Sequence, residues 1–89
     1  MKYSLQFTAK AKGDFLCFKK DVQKRISTKL RFYLSSDDPL QYAKKLKDKR
    51  LGMYRFRIWD YRAIFDIDKR GEITILIILR VKHRRESYL

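Results

Sequence analysis

The stretch MYRFRIWDYRAIFDID, residues 53–68, reads as two arms around a turn. Tyr54, Phe56 and Ile58 alternate with Arg55 and Arg57, and Tyr61, Ala63 and Phe65 alternate with Arg62 and Ile64. Period-two alternation marks strands with one buried face. With Trp59 and Asp60 as the loop, Ile58 faces Tyr61, Arg57 faces Arg62, Phe56 faces Ala63 and Arg55 faces Ile64. The apolar set then packs under other elements, and Arg55, Arg57 and Arg62 stand together on the open face. Directly opposed like charges cost up to about 1 kcal/mol in a sheet. Trp-Asp is also a poor two-residue loop, and a longer loop would shift the pairing. If this register holds, an anion visiting the face offsets the repulsion. The plain alternative is three arginines splayed into water.

Outward from the hairpin, the turn KRGE around Gly71 leads into ITILIIL, residues 73–79. This run fits a strand buried on both faces at the middle of a sheet. Toward the N-terminus, Gly52 opens the strand-rich half, after the basic run LQYAKKLKDKR. That run is expected to be a short helix or ordered loop. It carries Lys44, Lys45, Lys47, Lys49 and Arg50, either as a docking surface for RNA or as a solvated face. SSDDP before it stops a helix, since Pro39 disfavours helical Asp38. Phe15, Phe18, Val22, Ile26, Leu30, Tyr33 and Leu34 recur at helical spacing. A break near residues 19–21 divides them into two helices, with Asp21 as the expected cap of the second. Gly13 weakens the first. KYSLQFT at the start alternates as another strand. The expectation is one α+β domain over residues 1–89. It has an antiparallel sheet of about four strands with an N-terminal helical hairpin on one face, in the order β-α-α-β-β-β. No segment stands out to cover the second face.

With 23 Lys and Arg against 10 Asp and Glu, the formal net charge is +13. A small domain this basic meets a polyanion: nucleic acid, an anionic membrane surface or an acidic protein. No apolar run is long enough to span a bilayer, and the N-terminus lacks the pattern of a signal peptide. The single cysteine excludes an internal disulfide, and with one His a His/Cys metal site is not expected. A cytoplasmic protein with no metal and no cofactor is the expectation.

The tail LRVKHRRESYL adds chemistry to the charge. His83 is the one side chain whose ordinary pKa lies near neutrality, which makes it the candidate for proton transfer; plain surface is the alternative. Arg84 offers a bidentate phosphate fork and Tyr88 a ring to stack on a base. RNA suits this set, because its 2′-OH attacks the adjacent phosphate once a base takes the proton. Cations then stabilise the phosphorane and an acid protonates the leaving 5′ oxygen. Arg80, Lys82 and Arg85 extend the RNA- and ribosome-binding set.

Taken in order, Gly52, Tyr54, Arg55, Arg57, the Asp60-Tyr61-Arg62 turn, the aliphatic strand and the closing His83-Arg84 with Tyr88 resemble the RelE/ParE superfamily of toxins from type II toxin–antitoxin systems. The resemblance covers essentially the whole chain. For the RelE branch it implies ribosome-dependent, metal-independent endonucleolytic cleavage of mRNA in the A site. For the ParE branch it implies poisoning of DNA gyrase. A catalytically inactive nucleic-acid-binding module is the third reading. The paired hairpin arginines, Arg62, Arg84 and Tyr88 match the RelE branch better, and the catalytic set it implies is Arg55, Arg57, Arg62, His83, Arg84 and Tyr88. The best-known RelE proteins carry lysines where this chain has Arg55 and Arg57. Arginine stays protonated and is no general base, so the resemblance leaves the proton role to His83. It also implies a RelB-like antitoxin partner in a heteromeric complex, beside the ribosome and mRNA.

Overall fold

A computed structural model describes residues 2–85. Its centre is the hairpin of β3 (Tyr54–Ile58) and β4 (Tyr61–Arg70). The register is Tyr54↔Phe65, Arg55↔Ile64, Phe56↔Ala63, Arg57↔Arg62 and Ile58↔Tyr61, as the alternation predicts with a Trp59–Asp60 loop. Such a loop needs left-handed backbone, and Trp59 adopts it at φ 57°. That conformation costs a non-glycine residue about 1–2 kcal/mol. Two contacts offset it: the Arg25 guanidinium lies 4.3 Å from the Trp59 ring centroid, and the Arg84 amide donates to the Asp60 carbonyl at 2.7 Å.

β5 (Ile73–His83) pairs antiparallel with β4 over its full length. The pairing shifts between Ile64 and Phe65, which face Arg80 and Ile78, so Leu79 is an extra residue in a bulge. β1 (Lys2–Phe7) runs parallel to β5, from Lys2↔Ile73 to Phe7↔Ile78. A three-residue strand, β2 (Ala43–Lys45), closes the far edge against β3. The sheet therefore has five strands in the order β1-β5-β4-β3-β2, and it is mixed. This corrects the expected four antiparallel strands in the order β-α-α-β-β-β. Three residues, two of them lysine, are too few to display alternation. The direction of β1 depends on its partner, which its own pattern does not reveal.

The chain leaves β1 at one edge and re-enters the sheet as β2 at the other. The helices make this traverse across one face. Thr8 starts α1 (Ala9–Leu16) by accepting from the Ala11 amide at 3.1 Å, while its hydroxyl donates to the Leu79 carbonyl at 3.1 Å. Gly13 is accommodated within α1. α2 (Lys20–Ser35) follows a short break. Lys19, not Asp21, holds the cap position and makes no side-chain cap bond; Asp21 lies in the first turn, where a negative charge still complements the helix dipole. The break is fastened by Gln23, whose amide donates to the Phe18 carbonyl at 2.9 Å. After α2, Asp38 caps a short 3-10 helix, Pro39–Tyr42, that leads into β2; the run expected as a short helix or ordered loop thus holds a strand as well.

Ala11, Ile26, Leu30 and Tyr33 pack on Phe56, Ile58, Ala63, Phe65, Leu76, Ile78 and Val81, all buried. The rings of Tyr42, Tyr33, Phe56, Phe65 and Tyr54 form a column, with successive centroids 4.7, 4.7, 4.4 and 5.7 Å apart. On the opposite face ITILIIL is less covered than expected. Leu76 and Ile78 are fully buried toward the helices, whereas Ile75 and Ile77 are half-buried and Ile73 is 44% exposed. This face does have a partial cover. Gly52, in the segment 46–53 between β2 and β3, lies against it: a Cβ there would lie 2.6 Å from Ile64 Cγ2 and 3.1 Å from Leu79 Cδ1. With φ at +153°, Gly52 is required both by the close approach and by its backbone. The Met53 amide pins the segment by donating to Asp66 at 2.9 Å.

Candidate nucleic-acid interface

Paired residues on neighbouring strands share a face. On the side away from the helices, Arg57 (β3) faces Arg62 (β4), which faces Lys82 (β5). The next row on that side is Lys44 (β2), Arg55, Ile64 and Arg80. At strand spacings of about 4.8 Å and two-residue steps of about 6.8 Å, the two rows span about 14 by 7 Å. Neither row contains a carboxylate. This array can neutralise an RNA phosphate and its neighbours, and arginine forks add direction to the charge.

Four placements differ from the expected grouping. Lys44, expected to dock RNA away from the chemistry, stands directly opposite Arg55. Arg80, also assigned to docking, is held within the protein: its Nε and Nη2 donate to the two Asp14 oxygens at 2.8 and 3.0 Å. The Val81 amide donates to Asp14 as well, at 3.0 Å. Burial pushes the Asp14 carboxyl up, but the Arg80 fork, the Val81 amide and the charges of Arg80 and Lys82 together hold it below its ordinary value. Asp14 thereby ties α1 to the bulged part of β5. Sequence reasoning missed it. It is the one acidic residue of α1, a signal that points to a partner without naming it.

His83 is the third difference. It pairs with Tyr61, and the two rings meet edge to face at 5.0 Å. Tyr61 belongs to the helix-side set, so His83 faces away from the arginine rows. The bulge is the reason. Strict alternation from buried Ile78 carries residue 83 to the open face, and one extra residue reverses the phase. The Arg85 amide donates to His83 Nδ1 at 3.2 Å, so the neutral ring carries its hydrogen on Nε2. Fourth, Arg84 is anchored to the hairpin loop, with Nε 3.6 Å from Asp60 Oδ1.

Lys45 lies opposite Tyr54, at the edge of the helix-side face. Lys47, Lys49 and Arg50 lie in the segment between β2 and β3, where Arg50 forks onto Asp48 with two 3.0 Å bonds. Arg85 is exposed, and Tyr88 falls outside the described residues. No helix among the described residues is long and apolar enough to cross a membrane.

Comparison with known proteins follows the same lines. The family model described as ParE toxin of type II toxin–antitoxin system, parDE, matches residues 5–88. Among solved structures, the chain is similar to the toxin–antitoxin complex RelBE2 from Mycobacterium tuberculosis. The sequence identity is 30% and the TM-score 0.67, with 94% of this chain and 100% of that chain covered. A comparison with curated proteins finds no match. Matched from the first strand into the tail, the protein belongs to the RelE/ParE superfamily and is a toxin of the type II toxin–antitoxin class.

Proposed function

We propose that this toxin inhibits translation by cutting mRNA in the ribosomal A site, with the open sheet face holding the scissile phosphate. The observation that carries the reading is the grouping of Arg57, Arg62 and Lys82 with Lys44 and Arg55 of the next row on one face of the sheet, five cations with no carboxylate at the strand positions paired with them. Charge accumulates on phosphate oxygens as the 2′-OH attacks, and preorganised donors aimed at that charge contribute most of the rate enhancement in such catalysis. Arg55, Arg57 and Arg62 bind and polarise the phosphate; Lys44 and Lys82 flank them.

His83 fits the proton role less directly. Its one lone pair, on Nδ1, is taken by the Arg85 amide, and its ring lies on the helix side. To act as a base it must release that amide. The arginines therefore supply the charge stabilisation in this reading, and the 2′-OH proton passes to solvent water, or to His83 once the Arg85 amide releases Nδ1.

The partner is an antitoxin whose acidic, amphipathic tail covers the basic face. The similar structure is itself a toxin–antitoxin complex. An apolar groove lined by Phe7, Lys12, Phe15, Leu16 and Ser27 offers a seat for the apolar side of such a segment.

A second reading, poisoning of DNA gyrase, is favoured by the description of the matching family model. One experiment separates the two: purified protein is added to programmed ribosomes and, separately, to a gyrase supercoiling reaction. The proposal expects mRNA cut within the A-site codon and unaffected supercoiling. Intact mRNA with inhibited gyrase overturns it.

A further inference from the structure

The left-handed backbone of Trp59 has a second side. A glycine would take φ 57° without strain, yet this loop position holds the chain's only tryptophan, with the residue 55% exposed. The indole is poorly placed for the core and well placed for a visitor. Arg25 of α2 sits over the ring at 4.3 Å. Tyr61 lies 5.9 Å away, and His83 is a further 5.0 Å beyond Tyr61. Arg84, 52% exposed along its side chain, is tied to the adjacent Asp60. The end of the sheet thus bears a rim in which aromatic rings and cations adjoin. It lies one residue past the Arg57–Arg62–Lys82 row and on the opposite side of the sheet.

We infer that this rim is a stacking site for an unpaired RNA base, with the face of the Trp59 indole turned away from Arg25 as its platform and the Arg25 guanidinium backing the ring from the other side. A base offers a flat face that a rigid indole covers at little entropic cost, and stacking on an aromatic ring is tolerant of sequence. The neighbouring arginines and the net charge of +13 select a polyanionic strand over a neutral or basic protein surface. The inference rests on the reading of the protein as RNA-directed. It adds a second contact: phosphate on the open face, base on the rim, so that the strand passes around the end of the sheet.

Because Trp59 is the only tryptophan, its emission reports on the site directly. The full-length protein is titrated at low salt with single-stranded oligoadenylate and with an abasic phosphodiester strand of equal length and charge, each end-labelled with a dye whose anisotropy reports binding independently of tryptophan. Oligoadenylate is expected to quench the emission, and the abasic strand to bind without quenching. Trp59→Gly should weaken oligoadenylate binding roughly 5- to 150-fold, the range for loss of one stacked base, and leave binding of the abasic strand unchanged. Trp59→Phe should recover most of the affinity, and the melting temperatures of the variants confirm that each is folded. Unchanged emission at saturation, or equal affinity of Trp59→Gly and wild type for oligoadenylate, overturns the inference. Those results leave ribosomal cleavage by the wild-type protein as the separate test of the parent reading.

Discussion

Asp14→Ala should destabilise the protein more than any surface ion pair would. The Asp14 side chain is 16% exposed and that of Arg80 36%. Its carboxylate accepts three hydrogen bonds, two from a guanidinium and one from the Val81 amide. Hydrogen bonds to charged groups contribute about 1.5–3 kcal/mol each, and an orphaned amide costs about 1–3 kcal/mol. Arg80 reaches enough water to rehydrate, so the sum is discounted to about 2–3 kcal/mol. In a domain of this size each kcal/mol moves Tm by about 4–8 °C, so the expected loss is roughly 10–20 °C. The acid dependence has a defined sign. The folded Asp14 carboxyl titrates below its ordinary value of 3.8. Its stabilisation is therefore present above that value and lost as pH falls through the lower, folded one. Asp14→Asn should be less stable than wild type at pH 6, and the gap should close toward about pH 2. Urea denaturation followed by circular dichroism across that range measures both effects. A loss for Asp14→Ala under about 0.5 kcal/mol, the level of an exposed pair, would refute the claim that this carboxylate fastens α1 to β5.

Gly52→Ala places a Cβ against Ile64 and Leu79 at a backbone angle alanine resists; equilibrium denaturation should show a loss of about 1–3 kcal/mol. Phe56→Ala empties the middle of the ring column and should cost about 3–5 kcal/mol by the same measurement. His83→Gln keeps a donor and an acceptor at the rim, so the single-turnover cleavage rate should fall less than about tenfold. A loss of about a hundredfold or more would return His83 to the chemistry.

The hairpin was legible because apolar residues recur at every second position along Tyr54–Ile58 and again along Tyr61–Phe65. That regularity outweighed the unfavourable Trp-Asp loop, whose strain is met by Arg25 from a distant helix. The helix-side core followed from the same two periods, about 2 and 3.6. What escaped was set by tertiary pairing. β2 has no pattern of its own, and β1 takes its direction from β5. The bulge at Leu79 leaves no mark in an all-aliphatic run, yet it determines the sides taken by Lys82 and His83. Of the arginines read as one basic group, Arg55, Arg57 and Arg62 do share a face with Lys82, while Arg80 answers to Asp14 and Arg84 to Asp60.

The central claim, that the open face stabilises a phosphate during cleavage, is tested most directly at Arg62, the middle of the Arg57–Arg62–Lys82 row. The measurement is the single-turnover rate of mRNA cleavage at saturating ribosome for Arg62→Ala against Lys45→Ala, since Lys45 lies off that face. Losing one preorganised donor costs about 2.7–4 kcal/mol, so Arg62→Ala should be slower than wild type by about 10²–10³. Lys45→Ala should stay within about twofold. Equal slowing by the two variants, or an unchanged saturated rate in Arg62→Ala with only weaker, salt-screened ribosome binding, would contradict the account.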